Sequence, residues 1–210
     1  MDHSLSYMLA ESIKKNWEEL ALTDFNGDSF QYRDIARKVA KLHILFENSG
    51  IKKGDKIATC GKNSAQMSIA IIASMTYGAV TVPILHEFKP DNIHHLVTHS
   101  EAKLLFTDSS IWENLDIASM PELIGVLKVS DYSMLHSRSE ELTLARHKLN
   151  ELFGRKYPER FTRDDVKYYE PQADELALIN YTTGSTGFSK GVMLSHRAMW
   201  SNVKFCIENL

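Results

Sequence analysis

The sequence is poor in cysteine and has no excess of basic charge, and each shortage argues against a class of function. Its 210 residues include two cysteines, Cys60 and Cys206, which form neither a metal-binding spacing nor a disulfide framework. The 24 Lys and Arg residues are outnumbered by 27 Asp and Glu residues, so the formal net charge is −3. Nucleic-acid-binding domains are usually strongly basic, and no nucleic-acid partner is therefore predicted.

Signals for export or membrane insertion are also lacking. Residues 1–6 contain no basic segment leading into an apolar run, so a cytoplasmic protein is the default expectation. The run 67–85 approaches the roughly 20 residues of a membrane-spanning helix. However, Gly78 divides it into a helix-like part and a Val/Thr-rich part that includes Pro83. We interpret it as a buried helix followed by a buried strand, and no transmembrane segment is predicted.

The order of the predicted elements indicates the fold class. With 43% hydrophobic and 24% charged residues, the chain has the composition of a globular protein with a buried core. Its length predicts one domain, or one domain and a fragment. After a hairpin at Asn26-Gly27, strand-like and helix-like segments alternate from Lys56 to Val129. This order predicts an α/β protein with a doubly wound, mainly parallel sheet and helices on both faces.

Two early helices are predicted from apolar positions spaced three or four residues apart. The first, capped by Ser4, has the stripe Leu5, Met8, Leu9 and Ile13, and the second has Tyr32, Ile35, Ala36, Val39, His43 and Phe46. Gly50 is expected to end the second helix, because glycine readily adopts the left-handed conformation found after helices.

Residues 131–171 interrupt the alternation with a dense mixture of both charges, and we predict a charged surface excursion. The apolar positions Leu142, Ala145, Leu149, Leu152 and Phe153 predict one amphipathic helix that ends at Gly154. A membrane-surface or partner-binding helix is the alternative, so peripheral membrane contact stays open. Three glutamates on this helix disfavour that alternative, because anionic lipid favours a basic polar face.

Three histidines, His94, His95 and His99, raise the question of a metal site. His95 and His99 are four residues apart on a predicted helix, but no third ligand accompanies them. The stripe Ile93, Leu96 and Val97 is expected to face the core and to leave all three histidines facing outward. No metal site is predicted from them.

The segment Tyr181–Val192, with the sequence YTTGSTGFSKGV, has the composition of a phosphate-binding loop. Glycines allow backbone N–H groups to converge on an anion, hydroxyls add donors and Lys190 adds a positive charge. The spacing matches neither the Walker A pattern nor G-x-G-x-x-G. A flexible linker is the alternative, and the strand-like runs Leu176–Tyr181 and Val192–Leu194 on either side disfavour it.

This segment resembles the phosphate-loop motif of the AMP-forming adenylate ligases, which include acyl-CoA synthetases, luciferases and the adenylation domains of peptide synthetases. Val192–His196 and Tyr77–Pro83 resemble further parts of the same family, and the chain is most similar to long-chain fatty acid CoA ligases. Two departures are Ser189, where proline is usual, and Ser185, where threonine is commoner. Neither change removes a phosphate donor.

The resemblance implies a two-step reaction and assigns the loop residues. A carboxylic acid, expected to be a fatty acid, attacks the α-phosphate of ATP to give an acyl-adenylate and pyrophosphate, and coenzyme A then displaces AMP to form a thioester. The implied ATP-binding residues are Thr182, Thr183, Gly184, Ser185, Thr186, Gly187 and Lys190, with Thr182 also expected to reach Mg²⁺. No catalytic residue is expected within this stretch of chain.

Two alternatives remain open at this point. The acceptor could be a carrier-protein thiol or an amine instead of coenzyme A, because acceptor-specific residues would lie outside this sequence. A natural short module that binds a nucleotide without catalysis is the other alternative. The sequence identifies neither the acid nor the oligomeric state.

The end of the sequence leads to an expectation about domain organisation. Residues 1–175 are predicted to be the N-terminal α/β portion of an AMP-binding domain, and 176–210 a strand-turn-strand unit with the start of the next helix. The apolar stripe of that helix, Met199, Val203, Cys206, Ile207 and Leu210, has no stop signal. We therefore expect the rest of the same polypeptide to pack against it, and the chain alone to be inactive. Ser195 is expected to cap this helix, and His196 to have a packing or capping role.

Overall fold

A computed structural model of the protein describes residues 4–25, 27–183 and 189–209. The helices are α1 (Leu5–Lys15), α2 (Tyr32–Asn48), α3 (Ala65–Tyr77), α4 (Pro90–His99), α5 (Ser109–Trp112), α6 (Glu140–His147), α7 (Leu149–Lys156) and α8 (His196–Asn209). The strands are β1 (Leu20–Thr23), β2 (Ser29–Gln31), β3 (Lys56–Cys60), β4 (Val80–Ile84), β5 (Ala102–Thr107), β6 (Gly125–Lys128), β7 (Met134–Ser137), β8 (Leu176–Thr183) and β9 (Ser189–Ser195). Short 3₁₀ turns lie at Ile117–Ser119 and Arg163–Asp165.

The main sheet confirms the predicted fold class. Its strand order is β7-β6-β5-β3-β4-β8-β9, and β1 and β2 form a separate antiparallel hairpin. The pairs β5–β6, β3–β5, β3–β4 and β4–β8 are parallel, whereas β6–β7 and β8–β9 at the two ends are antiparallel. Parallel strands need crossover connections, and the helices α3 and α4 supply them on opposite faces of the sheet.

Alternate residues of the strands pack into two apolar layers, as expected for a sheet covered on both faces. In β5, Leu104 and Phe106 belong to the layer formed with α2 and α3, while Leu105 belongs to the layer formed with α4. All three side chains are fully buried. A smaller third cluster joins α1, through Ala10 and Ile13, to Trp17, Ala36, Phe161 and Val166.

The helix ends follow local sequence signals closely. The Ser4 hydroxyl accepts a hydrogen bond from the Tyr7 amide at 3.1 Å, and Ser64 caps α3 through the Met67 amide at 3.1 Å. Gly50 and Gly78 follow α2 and α3 with φ of +77° and +92°, in the left-handed region that glycine adopts without strain. Gly50 and Gly78 therefore lie where α2 and α3 end.

The predicted stripe of α1 is partly wrong. Ser6, Ala10 and Ile13 are its buried residues, while Leu5, Met8 and Leu9 are only half-buried. The helix is rotated because its packing partners belong to the cluster around Trp17 and Phe161, on the side of Ala10 and Ile13. The stripe of α2 is confirmed at Ile35, Ala36, Val39 and Phe46, which are at most 3% exposed.

The prediction that 131–171 is a surface excursion is wrong for its first half. Residues 134–137 form β7, which extends the main sheet, and the predicted single helix is two helices, α6 and α7, that meet at Lys148. Gly154 lies inside α7 and does not end it. The apolar residues Leu142, Ala145 and Leu149 are buried against α2 and the sheet, so they are not presented to a membrane.

Within the described ranges, no helix combines the length and apolarity needed to cross a lipid bilayer.

Candidate nucleotide-binding site

The predicted phosphate loop joins the two strands of a hairpin. β8 and β9 pair antiparallel, with Tyr181 opposite Gly191, Thr182 opposite Lys190 and Thr183 opposite Ser189. The predicted ligands Gly184, Ser185, Thr186 and Gly187 lie outside the described residues, and of Thr183 only the backbone is described. The structure therefore locates the two flanks of the loop, which are brought together by the strand pairing.

Thr182 and Lys190 lie on the same face of this hairpin. Residues directly opposite each other in an antiparallel pair project to the same side, and the next pair projects to the other side. Both side chains are exposed, and no described carboxylate lies within ion-pair distance of Lys190. An ammonium group and a hydroxyl group are thus available on one side of the loop, where they can bind an anion.

The hairpin follows the topology rule for ligand sites in α/β sheets. β8 runs parallel to β4, so its carboxyl end lies at the same edge as the carboxyl ends of the other parallel strands, where ligands bind in such sheets. A cavity of about 220 Å³ opens at this edge. Its lining includes Thr59, Gly61, Asn63, Pro83, Asn180 and Tyr181, from the ends of β3, β4 and β8.

Sequence reasoning missed His86 and Glu87, which also line this cavity. His86 Nδ1 lies 3.3 Å from Glu87 Oε2, and both residues follow directly after β4. Their position immediately beyond a buried parallel strand was the signal that could have identified them. They add an imidazole and a carboxylate to the edge of the sheet that carries the loop.

The turn after β3 at the same edge is held by two aspartates. Asp108 Oδ2 accepts a hydrogen bond from the Lys62 amide at 3.0 Å, and Asp24 Oδ1 accepts one from the Ala65 amide at 2.6 Å. A Cβ atom at Gly61 would lie 2.9 Å from Asp108 Oδ2. The absence of a side chain there lets the carboxylate approach the turn.

The buried thiol near this edge is unsuited to nucleophilic chemistry. Burial raises the pKa of Cys60 to about 12, with smaller contributions from the negative charges of Asp108 and Glu87. The thiol therefore stays protonated, as expected for a structural cysteine. At the opposite edge of the sheet, where Ser195 pairs with Leu176, burial lowers the pKa of His196 against the opposing effect of Glu175.

His196 and Ser195 have the structural roles that the sequence suggests. His196 is 3% exposed, and the Ser195 hydroxyl accepts a hydrogen bond from the Ala198 amide at 3.3 Å. Ser195 therefore caps the first turn of α8, and His196 is packed beneath it.

The three histidines of α4 differ from one another in their surroundings. His95 and His99 are exposed, as predicted, whereas His94 is half-buried and its Nε2 accepts a hydrogen bond from the Asp116 amide at 2.9 Å. The outward prediction is therefore wrong for His94, because the segment after α5 packs over it. In the part of the chain that the structure describes, no three His, Cys, Asp or Glu side chains come together as a metal site.

Comparisons with known proteins agree with this geometry. The chain is 25% identical to tyrocidine synthase 3 of Brevibacillus parabrevis over 206 residues, which are 96% of this chain and 3% of that protein. It is 24% identical to luciferin 4-monooxygenase of Photuris pensylvanica over 199 residues, 89% of this chain and 34% of that protein. The chain thus spans 3% and 34% of the length of these two curated relatives.

A solved structure shares the fold. The anthranilate CoA ligase AuaEII in complex with anthranoyl-AMP superposes with a TM-score of 0.77 at 15% identity, covering 99% of this chain and 36% of AuaEII. The sequence profile of the AMP-binding enzymes matches residues 9–209, which include both strands of the β8–β9 hairpin. The chain belongs to the family of AMP-binding enzymes.

Proposed function

We propose that the full-length protein is an ATP-dependent ligase that converts a carboxylic acid into an acyl-adenylate and then into a thioester of coenzyme A. The observation that carries this proposal is the family match over residues 9–209, which spans the hairpin and its loop. A fatty acid is the proposed substrate, on the resemblance to long-chain fatty acid CoA ligases, and the cytoplasm is the proposed location.

In the first step, the carboxylate attacks the α-phosphate and pyrophosphate leaves. Transfers at phosphorus depend mainly on positioning and on stabilisation of negative charge. Gly184, Ser185, Thr186 and Gly187, together with Thr183, are proposed to bind the β- and γ-phosphates. Lys190 offsets their charge from its position opposite Thr182.

Thr182 is the proposed protein contact for Mg²⁺. Magnesium prefers oxygen ligands and is usually held by few protein groups together with water and substrate phosphates, so a single exposed hydroxyl beside the loop fits it. When bound, the ion would neutralise charge on the triphosphate. Thr182 would then orient the metal-bound phosphates relative to Lys190.

Coenzyme A, the proposed acceptor of the acyl group, has specific alternatives. AuaEII is a CoA ligase by name, whereas the name of tyrocidine synthase 3 mentions no coenzyme A, so the relatives leave more than one acceptor open. A carrier-protein thiol or an amine is the second candidate. A non-catalytic nucleotide-binding module is a third, and the family of enzymes to which the chain belongs disfavours it.

The same proposal includes the domain organisation. Residues 1–175 would form the N-terminal α/β portion of the AMP-binding domain, and 176–210 the loop hairpin with the following helix. Large apolar side chains on β9 and α8 are exposed: Met193, Phe205 and Ile207 are 68%, 67% and 61% exposed. We propose that a further part of the same polypeptide covers these side chains.

The first experiment is ATP–pyrophosphate exchange by the full-length protein across a panel of carboxylic acids of increasing chain length. Exchange that depends on one class of acid is expected, and absence of exchange with every acid would contradict the proposal. Product analysis with coenzyme A, and separately with a loaded carrier protein, then identifies the acceptor.

The Lys190→Ala variant tests the role of the loop. We expect adenylate formation to slow by about 100-fold, as for the loss of one preorganised electrostatic group. Thioester formation from a preformed acyl-adenylate should change by only a few-fold, because pyrophosphate has already left. Lys204→Ala is the matched control, because it removes an exposed lysine that lies on α8 and outside the loop hairpin. Equal losses in both half-reactions would exclude the proposed role of Lys190.

A further inference from the structure

A side chain from α4 contacts the strand that leads into the loop. His99 Nδ1 lies 2.7 Å from the hydroxyl oxygen of Tyr181, and the two rings meet edge to face with centroids 5.7 Å apart. Tyr181 is 7% exposed and lies within the apolar layer between α4 and the sheet. This contact joins residues that are 82 positions apart in the sequence.

The same tyrosine ring lies against the second strand of the hairpin. A Cβ atom added at Gly191 would lie 3.1 Å from Tyr181 Cε1 and 3.4 Å from its Cζ. The ring therefore occupies the space above Gly191 that a side chain would otherwise fill. Tyr181 thus contacts both strands, through its own backbone in β8 and through its ring on β9.

The hydrogen bond forms with either tautomer of His99. Burial raises the pKa of Tyr181, so its hydroxyl group keeps its proton. The phenol can donate to Nδ1 when that nitrogen is unprotonated, and it can accept from Nδ1–H in the other tautomer. The ring of His99 is exposed, which leaves Nε2 open to water.

We propose that His99 is a positioning residue for ATP: through Tyr181 it fixes the β8–β9 hairpin on α4, and so fixes Thr182 and Lys190, which project from the opposite face. This proposal rests on the proposed function, because fixing Thr182 and Lys190 affects ATP only if these residues bind it. The pair Tyr181–Gly191 and the pair Thr182–Lys190 are adjacent rungs of one ladder. A tilt of the first pair therefore moves the second.

The test uses four single variants of the full-length protein and the double variant His99→Leu/Tyr181→Phe. His99→Leu and Tyr181→Phe each remove one partner of the hydrogen bond. His99→Asn places an amide group near the position of Nδ1 and serves as the conservative rescue. His95→Leu is the matched control, because His95 lies one turn earlier on α4 with its ring 5.8 Å from His99. Each variant is compared by hydrogen–deuterium exchange without ligand and by steady-state kinetics with ATP.

We expect the backbone amides of β8 and β9 to exchange hydrogen for deuterium faster in His99→Leu and Tyr181→Phe, with little change elsewhere. The KM for ATP should rise by about 3- to 10-fold with a smaller change in kcat, the effect of losing one hydrogen bond. The double variant should be no worse than the more impaired single variant, and His99→Asn should recover part of the loss. His95→Leu should match the unmodified protein.

Two outcomes overturn the positioning role. One is unchanged exchange in β8 and β9 for both His99→Leu and Tyr181→Phe. The other is an active enzyme whose KM for ATP is unaffected by either substitution or changes equally in His95→Leu. A protein that forms no adenylate with any acid would instead refute the proposed function. In that case the exchange data, with ATP binding measured by calorimetry, still decide whether the pair positions the hairpin for ATP.

Discussion

At the residue scale, His43 shows how burial determines the charge of a side chain. Its Nε2 lies 3.0 Å from the Ala73 carbonyl oxygen, which can only accept, so Nε2 carries the proton. The rings of Tyr77 and Tyr168 lie 5.6 Å and 5.7 Å away. Burial lowers the pKa of His43 from 6.5 to about 4, and the hydrogen bond to Ala73 opposes this only partly.

The lowered pKa of His43 predicts acid sensitivity. Between pH 6.5 and about 4 the unfolded chain binds a proton at this site that the folded protein does not, so stability falls as the pH falls through this window. The loss of unfolding free energy attributable to His43 reaches about 3 kcal/mol. We expect the unfolding free energy of His43→Gln, which keeps a donor for Ala73, to depend much less on pH when it is measured by urea unfolding between pH 4 and 7. His95→Gln should keep the pH dependence of the unmodified protein, and the same pH dependence in both variants would contradict the assignment.

Single residues with strong local preferences were predictable from the sequence. Ser4 and Gly50 act through their own backbone neighbourhood, and both have the expected roles. The partner of His99 was not predictable, because no local pattern indicates a contact with Tyr181 across 82 residues. The same reasoning explains His94, whose exposure depends on how a later segment folds over it.

At the scale of elements, alternating strands and helices from Lys56 to Val129 were predicted from apolar runs that turn residues divide, as Gly78 divides α3 from β4. The errors lie in 131–171. β7 has four half-buried residues, too short and too mixed to show a period of two. The boundary between α6 and α7 was missed because their apolar positions continue the same stripe across Lys148. The positions and contacts of Gly184–Phe188 remain predictions.

α6 packs tightly on the sheet, and this gives a test with a matched control. Leu142 is fully buried, and its Cδ2 atom lies 2.1 Å from where a Cβ atom at Gly125 would be. Leu144 on the same helix is 54% exposed. Leu142→Ala should lower the free energy of unfolding by about 2–5 kcal/mol, and Leu144→Ala by less than about 0.5 kcal/mol. Because the helix-propensity change is the same, urea titration of both variants isolates burial. Similarly small changes in the free energy of unfolding for both variants would instead indicate that α6 lies on the surface.

At the scale of the whole molecule, the two faces of the main sheet are covered, but the end formed by β9 and α8 is not. Val192 and Met193 are 44% and 68% exposed, and the free thiol of Cys206 is exposed on α8. Val192 and Met193 are neighbours on one strand and project to opposite faces, so apolar side chains are exposed on both sides of β9. The proposed cover is a further part of the polypeptide.

Thiol labelling of the full-length protein tests whether this surface is covered. We expect both Cys60 and Cys206 to react slowly in the folded protein and quickly in denaturant, with each site followed by peptide mass spectrometry. Cys60 is the internal control, because it is 0% exposed within the described fold itself. Rapid labelling of Cys206 alone in the folded protein would show that its side of α8 is open to solvent.

The position of the hairpin at one end of the strand order has a consequence for biosynthesis. During translation, β3, β4, β5 and β6 and their helices are made before Tyr181, so α4 and its His99 can already be in place when β8 and β9 emerge. Contacts between distant positions form late in folding, since they close the longest loops. We therefore expect nucleotide affinity to appear only after β8 and β9 have been made, later than the folding of β3, β4, β5 and β6.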